Sequence, residues 1–300
     1  MDNFFTIIIP TFNRKEFLTQ AVNSVLNQSF KNWYLHIVDN TSTDGTEDYL
    51  KSLLKDKRIR YSIIDNNGII AKSRNYALKR VTSKAVAFLD DDDIWLPNKL
   101  QADFELLNLG YSLVYSKASV FYDDSIPIKN LPIRKLGINP LRNMLIYGNT
   151  FITSSVTFLY EDNFKNIIFN ESKDFLTWED YDLWIRLLEK GIKPIRNNKT
   201  TVLYRISSFQ NTNAKREIKN ISSISKNFQK YYEKYNINTF HGVPIWAHYS
   251  YVICFLKLKK YKLAIYSIFN IFKISCNLKD YIYSLRVVLR FLFEFFNFKK

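Results

Sequence analysis

The feature that most constrains the fold is the stretch KAVAFLDDDDIWLPNKL, which spans residues 84–100. Its apolar run, Ala85 to Leu89, is long enough for a buried strand and too short for a helix. Four carboxylates follow, Asp90 to Asp93, and Pro97 then stands at the start of a helical pattern. A buried strand that ends in charged groups before a helix is typical of an open α/β sheet, whose ligands gather at the carboxyl ends of its strands.

The four consecutive carboxylates predict a cation site. Adjacent carboxylates raise one another's pKa unless a positive group lies among them. The partner that fits best is a hard divalent cation, Mn²⁺ or Mg²⁺, which keeps one or two protein carboxylates and fills its other positions with water and phosphate oxygens. The stretch therefore predicts an anchor for a metal ion and a diphosphate. An acidic surface turn is the alternative, which the strand before it and the helix start after it disfavour.

Strands and helices alternate along the chain before this stretch. Apolar runs predict strands at 4–10, 33–38 and 60–64, with helices between them, and the acidic stretch supplies a fourth strand. This βαβ order predicts a mainly parallel sheet flanked by helices. Further strands are predicted at 111–120, 151–159 and 202–205, with a loop at 123–140.

The segment FLDDDDIWLPNKL resembles the Asp-x-Asp segment of family 2 glycosyltransferases, which are inverting nucleotide-sugar enzymes of the GT-A fold. The resemblance covers the first two-thirds of the chain. It implies an α/β, GT-A (Rossmann-like) fold for a nucleotide-sugar-binding and catalytic domain at 1–212, followed by an α-helical C-terminal region at 213–300. The other segments that carry it are Pro10-Thr11-Phe12-Asn13, Asp39-Asn40, Lys72-Ser73-Arg74-Asn75 and Glu179-Asp180.

The resemblance implies roles for the two loops that would hold the nucleotide base. Pro10, Thr11 and Phe12 belong to the first loop, where Phe12 would stack on the base; a core position for Phe12 is the alternative. Asp39 and Asn40 belong to the second loop. Asn40 stands where uridine-specific members usually carry a carboxylate, and its amide oxygen accepts the same hydrogen bond more weakly. Uridine is therefore expected, thymidine stays open, and a simple turn role for Asn40 is the alternative.

The resemblance also implies how the diphosphate, metal and sugar are held. Arg74, placed at a helix start, would lie near the diphosphate or the base, with a solvated helix face as the alternative. Arg205 would bind the diphosphate, just before a loop that closes over it. Asp92 would ligate the metal, while Asp91 and Asp90 would contact ribose or sugar. The fourth acid, Asp93, is one more than the family pattern requires and is expected to be solvated.

The stretch TWEDYDLW at 177–184 is similar to the family's Glu-Asp segment. By this match Asp180 is the base that takes the acceptor hydroxyl's proton, and Glu179 orients it or the acceptor. Thr177 and Asp180 also have the spacing of a helix capping box, so ordinary capping is the alternative. Trp178 would offer a face for a sugar ring or would belong to the core.

Charge is distributed unevenly along the chain. Of a formal net charge of +15, residues 213–300 carry 16 Lys and Arg against 4 Asp and Glu. Helical patterns at 245–258 and 261–274 are strongly apolar, and a helical pattern at 281–298 is apolar with one narrow polar stripe. They predict a small helical bundle, an anionic membrane surface bound through 245–300, or both. Nucleic acid is not expected, because no nucleic-acid-binding motif accompanies the charge.

The first residues lack the basic and long apolar segments of a signal peptide, and no long uncharged apolar run predicts a transmembrane helix. The two cysteines, Cys254 and Cys276, are therefore expected to be buried thiols and not a disulfide. We expect a cytoplasmic protein, peripheral on the inner face of the cytoplasmic membrane.

The resemblance implies a metal-dependent inverting transferase for surface polysaccharide or lipooligosaccharide synthesis. It would move a hexose or N-acetylhexosamine from a nucleotide-diphosphate sugar to a glycan or lipid-linked saccharide. The Gln-x-x-Arg-Trp signature of processive polysaccharide synthases is absent from the sequence, which favours a non-processive enzyme. A sugar nucleotidyltransferase is one alternative. That class usually has a glycine-rich loop after the first strand, and here no glycine precedes Gly45. A non-catalytic membrane-surface scaffold is another alternative.

Overall fold

The computed structural model describes residues 3–122, 129–161, 163–206 and 213–297, except for the side chains of 290 and 293–297. The chain divides into two compact units. The first comprises Met1–Lys135, Thr150–Glu171 and Glu179–Gln210. The second comprises Leu136–Asn149, Ser172–Trp178 and Asn211–Lys300, so it takes in two segments that precede the boundary predicted at 212.

Strands and helices follow the alternation read from the sequence. The strands are β1 (Phe5–Thr11), β2 (Trp33–Asp39), β3 (Ile59–Ile63), β4 (Ala85–Phe88), β5 (Ile94–Trp95), β6 (Leu113–Phe121), β7 (Lys129–Asn130), β8 (Thr157–Leu159) and β9 (Pro194–Arg205). The helices are α1 (Lys15–Leu26), α2 (Thr46–Leu53), α3 (Ile70–Leu78), α4 (Lys99–Asn108), α5 (Pro140–Tyr147), α6 (Glu179–Glu189), α7 (Ala214–Asn227), α8 (Gln229–Lys234), α9 (Ile245–Lys257), α10 (Tyr261–Ile274) and α11 (Leu278–Asn297).

The first unit is built on one sheet with the order β3-β2-β1-β4-β8-β6-β9-β5, and β7 pairs with β6. Strands β3, β2, β1 and β4 are mutually parallel. Strand β8 runs antiparallel to both β4 and β6, while β6 and β9 are parallel. Because β1, β2 and β4 run in the same direction, the loops that follow them meet at one edge of the sheet. The predicted α/β fold is confirmed, with antiparallel pairing beyond β4.

Strand β1 forms the centre of the hydrophobic core, and all of its residues are buried. Continuous apolar sequence is what a strand needs when helices cover both faces of the sheet. Helix α1 packs on this core through Leu18, Val22 and Val25 at helical spacing. Each of these side chains contributes about 1.5–3 kcal/mol by leaving water. The core therefore holds the loop after β1 in a defined position.

The strand predicted at 151–159 is only partly correct. A single 3₁₀ turn occupies Thr153–Ser155, and strand β8 begins at Thr157. The turn has a polar cause: Ser154 is buried, its main-chain oxygen accepts from Trp95 Nε1 at 2.7 Å, and its hydroxyl reaches Asp93. Regular strand pairing would leave these buried polar groups without those partners.

The second unit is helical, as predicted for the C-terminal region. Helices α9 and α10 confirm the predictions at 245–258 and 261–274. Their contact is apolar and includes Val252, Leu256, Ala264 and Ile271, all fully or almost fully buried. Trp178 also belongs to this unit, where its ring lies 5.0 Å from that of Trp246.

None of the helices within the described residues is both long enough and apolar enough to cross a membrane.

Gly148 ends α5 in a conformation that other residues rarely adopt, with φ 78° and ψ −175°. A Cβ there would lie 2.9 Å from Trp246 Cβ. We expect Gly148→Ala to lower the free energy of unfolding by about 3 kcal/mol, since backbone strain alone costs about 1–3 kcal/mol. Urea unfolding of Gly110→Ala is the control, because its φ is 90° but a Cβ there meets nothing within 4 Å. Equal losses in the two variants would contradict the predicted clash.

Candidate active site

An open pocket of about 260 Å³ lies at the carboxyl ends of β1 and β2. Phe12 lines it and is 51% exposed, so the alternative that Phe12 belongs to the core is wrong. An exposed aromatic ring on a loop tip offers a flat apolar surface to a planar ligand. The other lining residues are Pro10, Thr11, Arg14, Asn40, Asn66, Gly68, Ile70 and Asp91.

Asn40 lines the pocket and also organises its loops. Its main-chain N–H donates to Thr11 O at 3.0 Å, and its Oδ1 accepts from Asn66 N at 2.8 Å. Asn66 in turn accepts from Gly68 N at 2.8 Å, so one chain of hydrogen bonds joins three loops. The turn role weighed for Asn40 is therefore present, and the amide still borders the pocket. Sequence reasoning missed Asn66, although its place in an Asn-Asn-Gly turn marks it.

Asp39 is buried at the end of β2, and its carboxylate forms hydrogen bonds within the turn that follows the strand. It accepts from Ser42 N at 3.0 Å and from Ser42 Oγ at 2.5 Å. The pocket is lined by the neighbouring Asn40 and not by Asp39. The geometry gives Asp39 the task of shaping the second loop, while the predicted direct contact with the nucleotide stays a prediction.

The residues Asp90–Asp93, here called the acidic turn, are bound by three arginines. Arg14 Nη1 contacts Asp91 at 3.2 Å and Asp92 at 2.9 Å, and Thr11 Oγ1 donates to Asp91 at 2.7 Å. Sequence reasoning missed Arg14, although it follows directly on the first nucleotide loop. Its side chain is 41% exposed, which makes it the arginine of the three that a ligand reaches most easily.

Asp93 corrects the expectation of a solvated extra acid. The residue is 1% exposed, its Oδ2 accepts from Ser154 Oγ at 2.5 Å, and its Oδ1 accepts from Arg205 N at 3.0 Å. Burial, and next the neighbouring carboxylates, raise the pKa of Asp93 well above its usual range. Asp93 therefore fastens the acidic turn to the rest of the sheet.

Arg205 lies behind the acidic turn, where it is 1% exposed. Its Nε donates to Asp92 O at 2.8 Å, its Nη2 donates to Gln20 at 2.5 Å, and its guanidinium lies over the rings of Phe17 and Phe121. This burial corrects the expectation that the side chain reaches a diphosphate. Arg205 acts as a positioning residue for Asp92. Residues 207–212, which contain most of the loop predicted to close over the diphosphate, lie outside the described residues.

Arg74 lies one turn inside α3 and not at its start, and it is 3% exposed. The alternative of a solvated face is therefore wrong. Its Nη2 contacts Asp90 at 2.7 Å and its Nη1 contacts Glu179 at 2.8 Å. Arg74 thus joins the acidic turn to the start of α6. A buried ion pair of this kind loses about 3–5 kcal/mol of stability when one partner is removed.

Asp180 is half-buried beside Glu179 at the first turn of α6. It accepts hydrogen bonds from Tyr181 N at 2.6 Å and from Thr153 Oγ1 at 3.2 Å. Burial, followed by the carboxylate of Glu179, raises the pKa of Asp180 to about 7, while Arg74 opposes that rise. A carboxylate with such a pKa is a far better proton acceptor at neutral pH than an ordinary aspartate.

The acidic turn suits a divalent cation chemically. Burial and the neighbouring carboxylates raise the pKa of Asp91 to about 7, and that of Asp92 is raised as well, although Arg14 opposes both shifts. The four carboxylates of the turn outnumber the arginines that pair with their side chains, and their oxygens are hard ligands. Across the described ranges, no three His, Cys, Asp or Glu side chains form a complete metal site. The residues fit an ion held by one or two carboxylates and by ligand oxygens.

Comparison with known proteins identifies the class. Residues 6–168 match the family described as glycosyl transferase family 2, and the chain belongs to this family. The Escherichia coli enzyme UDP-Glc:alpha-D-GlcNAc-diphosphoundecaprenol beta-1,3-glucosyltransferase WfaP is 33% identical over 203 residues, which cover 67% of this chain and 76% of that protein. The protein is therefore a glycosyltransferase.

Solved structures share the fold. S. aureus TarS 1-349 in complex with UDP-GlcNAc aligns with a TM-score of 0.58 and 17% identity, covering 97% of this chain and 81% of that one. The mannosyltransferase PcManGT from Pyrobaculum calidifontis, in complex with GDP-Man and Mn²⁺, aligns with a TM-score of 0.56 and 15% identity, covering 96% and 81%. At these identities the likeness shows the fold alone, and the expected GT-A fold is confirmed.

Two substitutions should move the pH profile in opposite directions. Because Glu179 raises the pKa of Asp180 and Arg74 lowers it, the acidic limb of kcat/KM should move to lower pH in Glu179→Gln and to higher pH in Arg74→Gln. Each displacement should be on the order of one pH unit. The substitution Arg80→Gln is the control, since the Arg80 guanidinium stacks on Tyr76 away from Asp180. If the acidic limb moved in the same direction in both variants, the assignment of that limb to Asp180 would be contradicted.

Proposed function

We propose that this enzyme is an inverting, metal-dependent glycosyltransferase. It moves a hexose or N-acetylhexosamine from a nucleoside diphosphate sugar, most readily a UDP sugar, to a glycan or lipid-linked saccharide. The observation that carries the proposal is the ion pair of Arg74 with both Asp90 and Glu179, which joins the acidic turn to the neighbour of Asp180. Transfer with inversion needs a base and a diphosphate site within reach of one sugar.

The donor would bind in the pocket between the first two nucleotide loops. Phe12 would stack on the base, and Asn40 would accept a hydrogen bond from its edge. Asp90 and Asp91 would contact the ribose or the sugar. Arg14 is the partly exposed cation at this site, so we assign to it a contact with the diphosphate.

Mn²⁺ or Mg²⁺ would be held by Asp92 together with diphosphate oxygens. When bound, the ion would neutralise negative charge that develops on the leaving diphosphate. The protein's own part is to keep Asp92 in place, which Arg205 does by binding its main-chain oxygen and Asp93 does by anchoring the turn.

Asp180 would accept the proton of the acceptor hydroxyl as that oxygen forms the new bond to the anomeric carbon. The bond from that carbon to the diphosphate oxygen breaks on the opposite face, and the nucleoside diphosphate carries away the electron pair. Glu179 and Arg74 set the charge around Asp180, and Thr153 orients it through its hydroxyl. Configuration at the anomeric carbon is inverted because there is a single displacement.

The acceptor and the place of reaction are further parts of the proposal. The relative WfaP is named for a saccharide carried on diphosphoundecaprenol. We infer an acceptor of the same chemical class, a lipid-linked saccharide in surface polysaccharide or lipooligosaccharide synthesis. The enzyme would act on it at the cytoplasmic face of the membrane, as a non-processive transferase.

A panel of nucleotide sugars tests the donor site. A fitting donor with Mn²⁺ should raise the thermal unfolding temperature, since ligand at a hundred times its Kd stabilises the fold by about 2.7 kcal/mol. EDTA should abolish most of this rise. Asp92→Asn should abolish it too, whereas Asp174→Asn, an exposed acid outside the pocket lining, should not. A rise that persists in EDTA and in Asp92→Asn would refute the metal site.

Substitution of the base tests the chemical step. We expect Asp180→Asn to lower kcat by about 10²–10⁴-fold, the usual contribution of a general base. Donor binding, followed by thermal shift, should stay intact because Asp180 lies outside the pocket lining.

Transfer is measured with a synthetic polyprenyl-diphosphate-linked N-acetylglucosamine and with a short water-soluble glycoside. The control is Asp174→Asn, an exposed acid six residues earlier. Unchanged transfer by Asp180→Asn would exclude this residue as the base. A fold that binds donor without any turnover would instead favour the non-catalytic scaffold.

A further inference from the structure

Helix α11 carries an apolar stripe on the side that faces away from its own unit. Its exposed members recur three or four residues apart, which places them on one face of the helix. Leu278 is 76% exposed and Leu289 is 65% exposed, far more than a leucine in a packed core. The stripe comprises Leu278, Ile282, Leu285, Leu289 and Leu292.

The opposite side of α11 is the one that packs on the unit. Val287 and Phe291 are buried in the apolar cluster shared with α9 and α10. Ser284 is also buried, and its hydroxyl bonds to Ser275 at 2.8 Å. The helix thus has one apolar face that its unit covers and a second that the described residues leave exposed.

Helix α10 repeats this arrangement. Its exposed side includes Leu263, Ile265, Tyr266 and Phe269, the last at 63% exposure. Ten of the eighteen large hydrophobic side chains exposed in the described residues lie within 263–292. Single exposed hydrophobic residues are ordinary, but a group on two helices that contact each other marks a contact surface. We call the exposed apolar side chains of α10 and α11 the outward face.

Within residues 257–292, the exposed charged side chains near the outward face are all basic. Lys259, Lys260, Lys262 and Arg286 are exposed. From residue 257 to 292 the only acid is Asp280, which is buried and accepts from Tyr147 Oη at 2.5 Å. Any partner of this face therefore meets apolar side chains and positive charge, with no exposed carboxylate among residues 257–292.

Helix α9 does not expose an apolar face. The membrane-binding surface expected at 245–300 is therefore limited to α10 and α11. Its apolar residues Ile245, Trp246, Val252 and Leu256 are buried, and no large apolar side chain of α9 is among the exposed ones. The strong apolarity of α9 in the sequence is explained by its place in the core of the unit.

We propose that the outward face docks on an anionic lipid bilayer, with α10 and α11 lying in the interface. The apolar side chains would enter the boundary of headgroups and acyl chains, and the lysines and arginine would bind anionic headgroups. A second copy of this chain fits poorly, because pairing two outward faces would bring basic side chains together, and residues 257–292 expose no acid to pair them. A nucleic acid would neutralise the charge and leave the leucine stripe in water.

This inference deepens the proposed function, on which it rests in one respect: a lipid-linked acceptor requires the enzyme at a membrane. The physical attraction itself depends only on α10 and α11. Docking there would raise the local concentration of an acceptor confined to the bilayer, and transfer to a water-soluble acceptor would not share this gain.

Vesicle flotation of the full chain tests the docking. Vesicles of phosphatidylcholine with one third phosphatidylglycerol should bind the enzyme, and vesicles of phosphatidylcholine alone should bind it at least about tenfold more weakly. The double substitution Leu285→Gln with Leu289→Gln should weaken binding to the anionic vesicles by at least about tenfold. Removing the charges in Lys262→Gln with Arg286→Gln should weaken it in a salt-dependent manner.

Matched controls come from the first unit. Leu54→Gln with Leu109→Gln removes two leucines of similar exposure, 50% and 73%, and Lys55→Gln with Lys57→Gln removes two exposed lysines. Both pairs should leave vesicle binding unchanged. Equal losses in test and control pairs would overturn the inference, as would self-association of the wild type that Leu285→Gln with Leu289→Gln abolishes without any vesicle binding.

Enzymatic readouts separate this inference from the proposed function. The leucine variant should retain donor hydrolysis and transfer to the water-soluble glycoside, while transfer to the acceptor in anionic vesicles falls at least about tenfold. Wild-type protein that turns over donor but binds no anionic vesicle would refute the docking surface alone. Protein that binds vesicles and turns over no donor would refute the proposed function and leave the docking surface standing.

Discussion

Three arginines hold four adjacent carboxylates in place, and the active-site geometry depends on this charge pairing. Arg74 binds Asp90, Arg14 binds both Asp91 and Asp92, and Arg205 binds the main chain of Asp92. Buried carboxylates without such partners would repel one another and take up protons. Arg74 also pairs with Glu179, so the four carboxylates of the turn outnumber the cations that pair with their side chains. The proposed divalent cation would add positive charge at this turn.

The same pairing joins the donor side of the site to its base. Arg74 touches one carboxylate of the acidic turn and one carboxylate beside Asp180. The two units also differ in whether their basic side chains are paired with acids. In the first unit Arg14, Arg58, Arg74 and Arg186 pair with acids, whereas α10 and α11 expose basic residues with no exposed acid between residues 257 and 292.

Local pattern predicted much of the architecture. The run of apolar residues before the acidic turn predicted a strand, and helices α9 and α10 appear within one residue of their predicted bounds. The spacing of apolar residues along the sequence predicts such strands and helices directly. The pattern failed at 151–159, where a 3₁₀ turn replaces half of the expected strand, because the turn satisfies a buried serine that bonds to Asp93, sixty-one residues away. Arg14 was missed for a similar reason, since its partners lie 77 and 78 residues further along the chain.

The sequence by itself determined the α/β order of the first unit, the acidic turn and the helical, basic character of residues 213–300, since each is a matter of composition or of short-range period. The resemblance to the family marked the Glu179-Asp180 pair. Only the tertiary structure decided that Asp93 and Arg205 are buried positioning groups, that Arg74 pairs with acids on both sides, and that α9 is core while α10 and α11 are exposed. Those outcomes depend on which distant residues the sheet order and the helix packing bring together. Desolvation and charge pairing act between neighbours in space, which a linear pattern does not record.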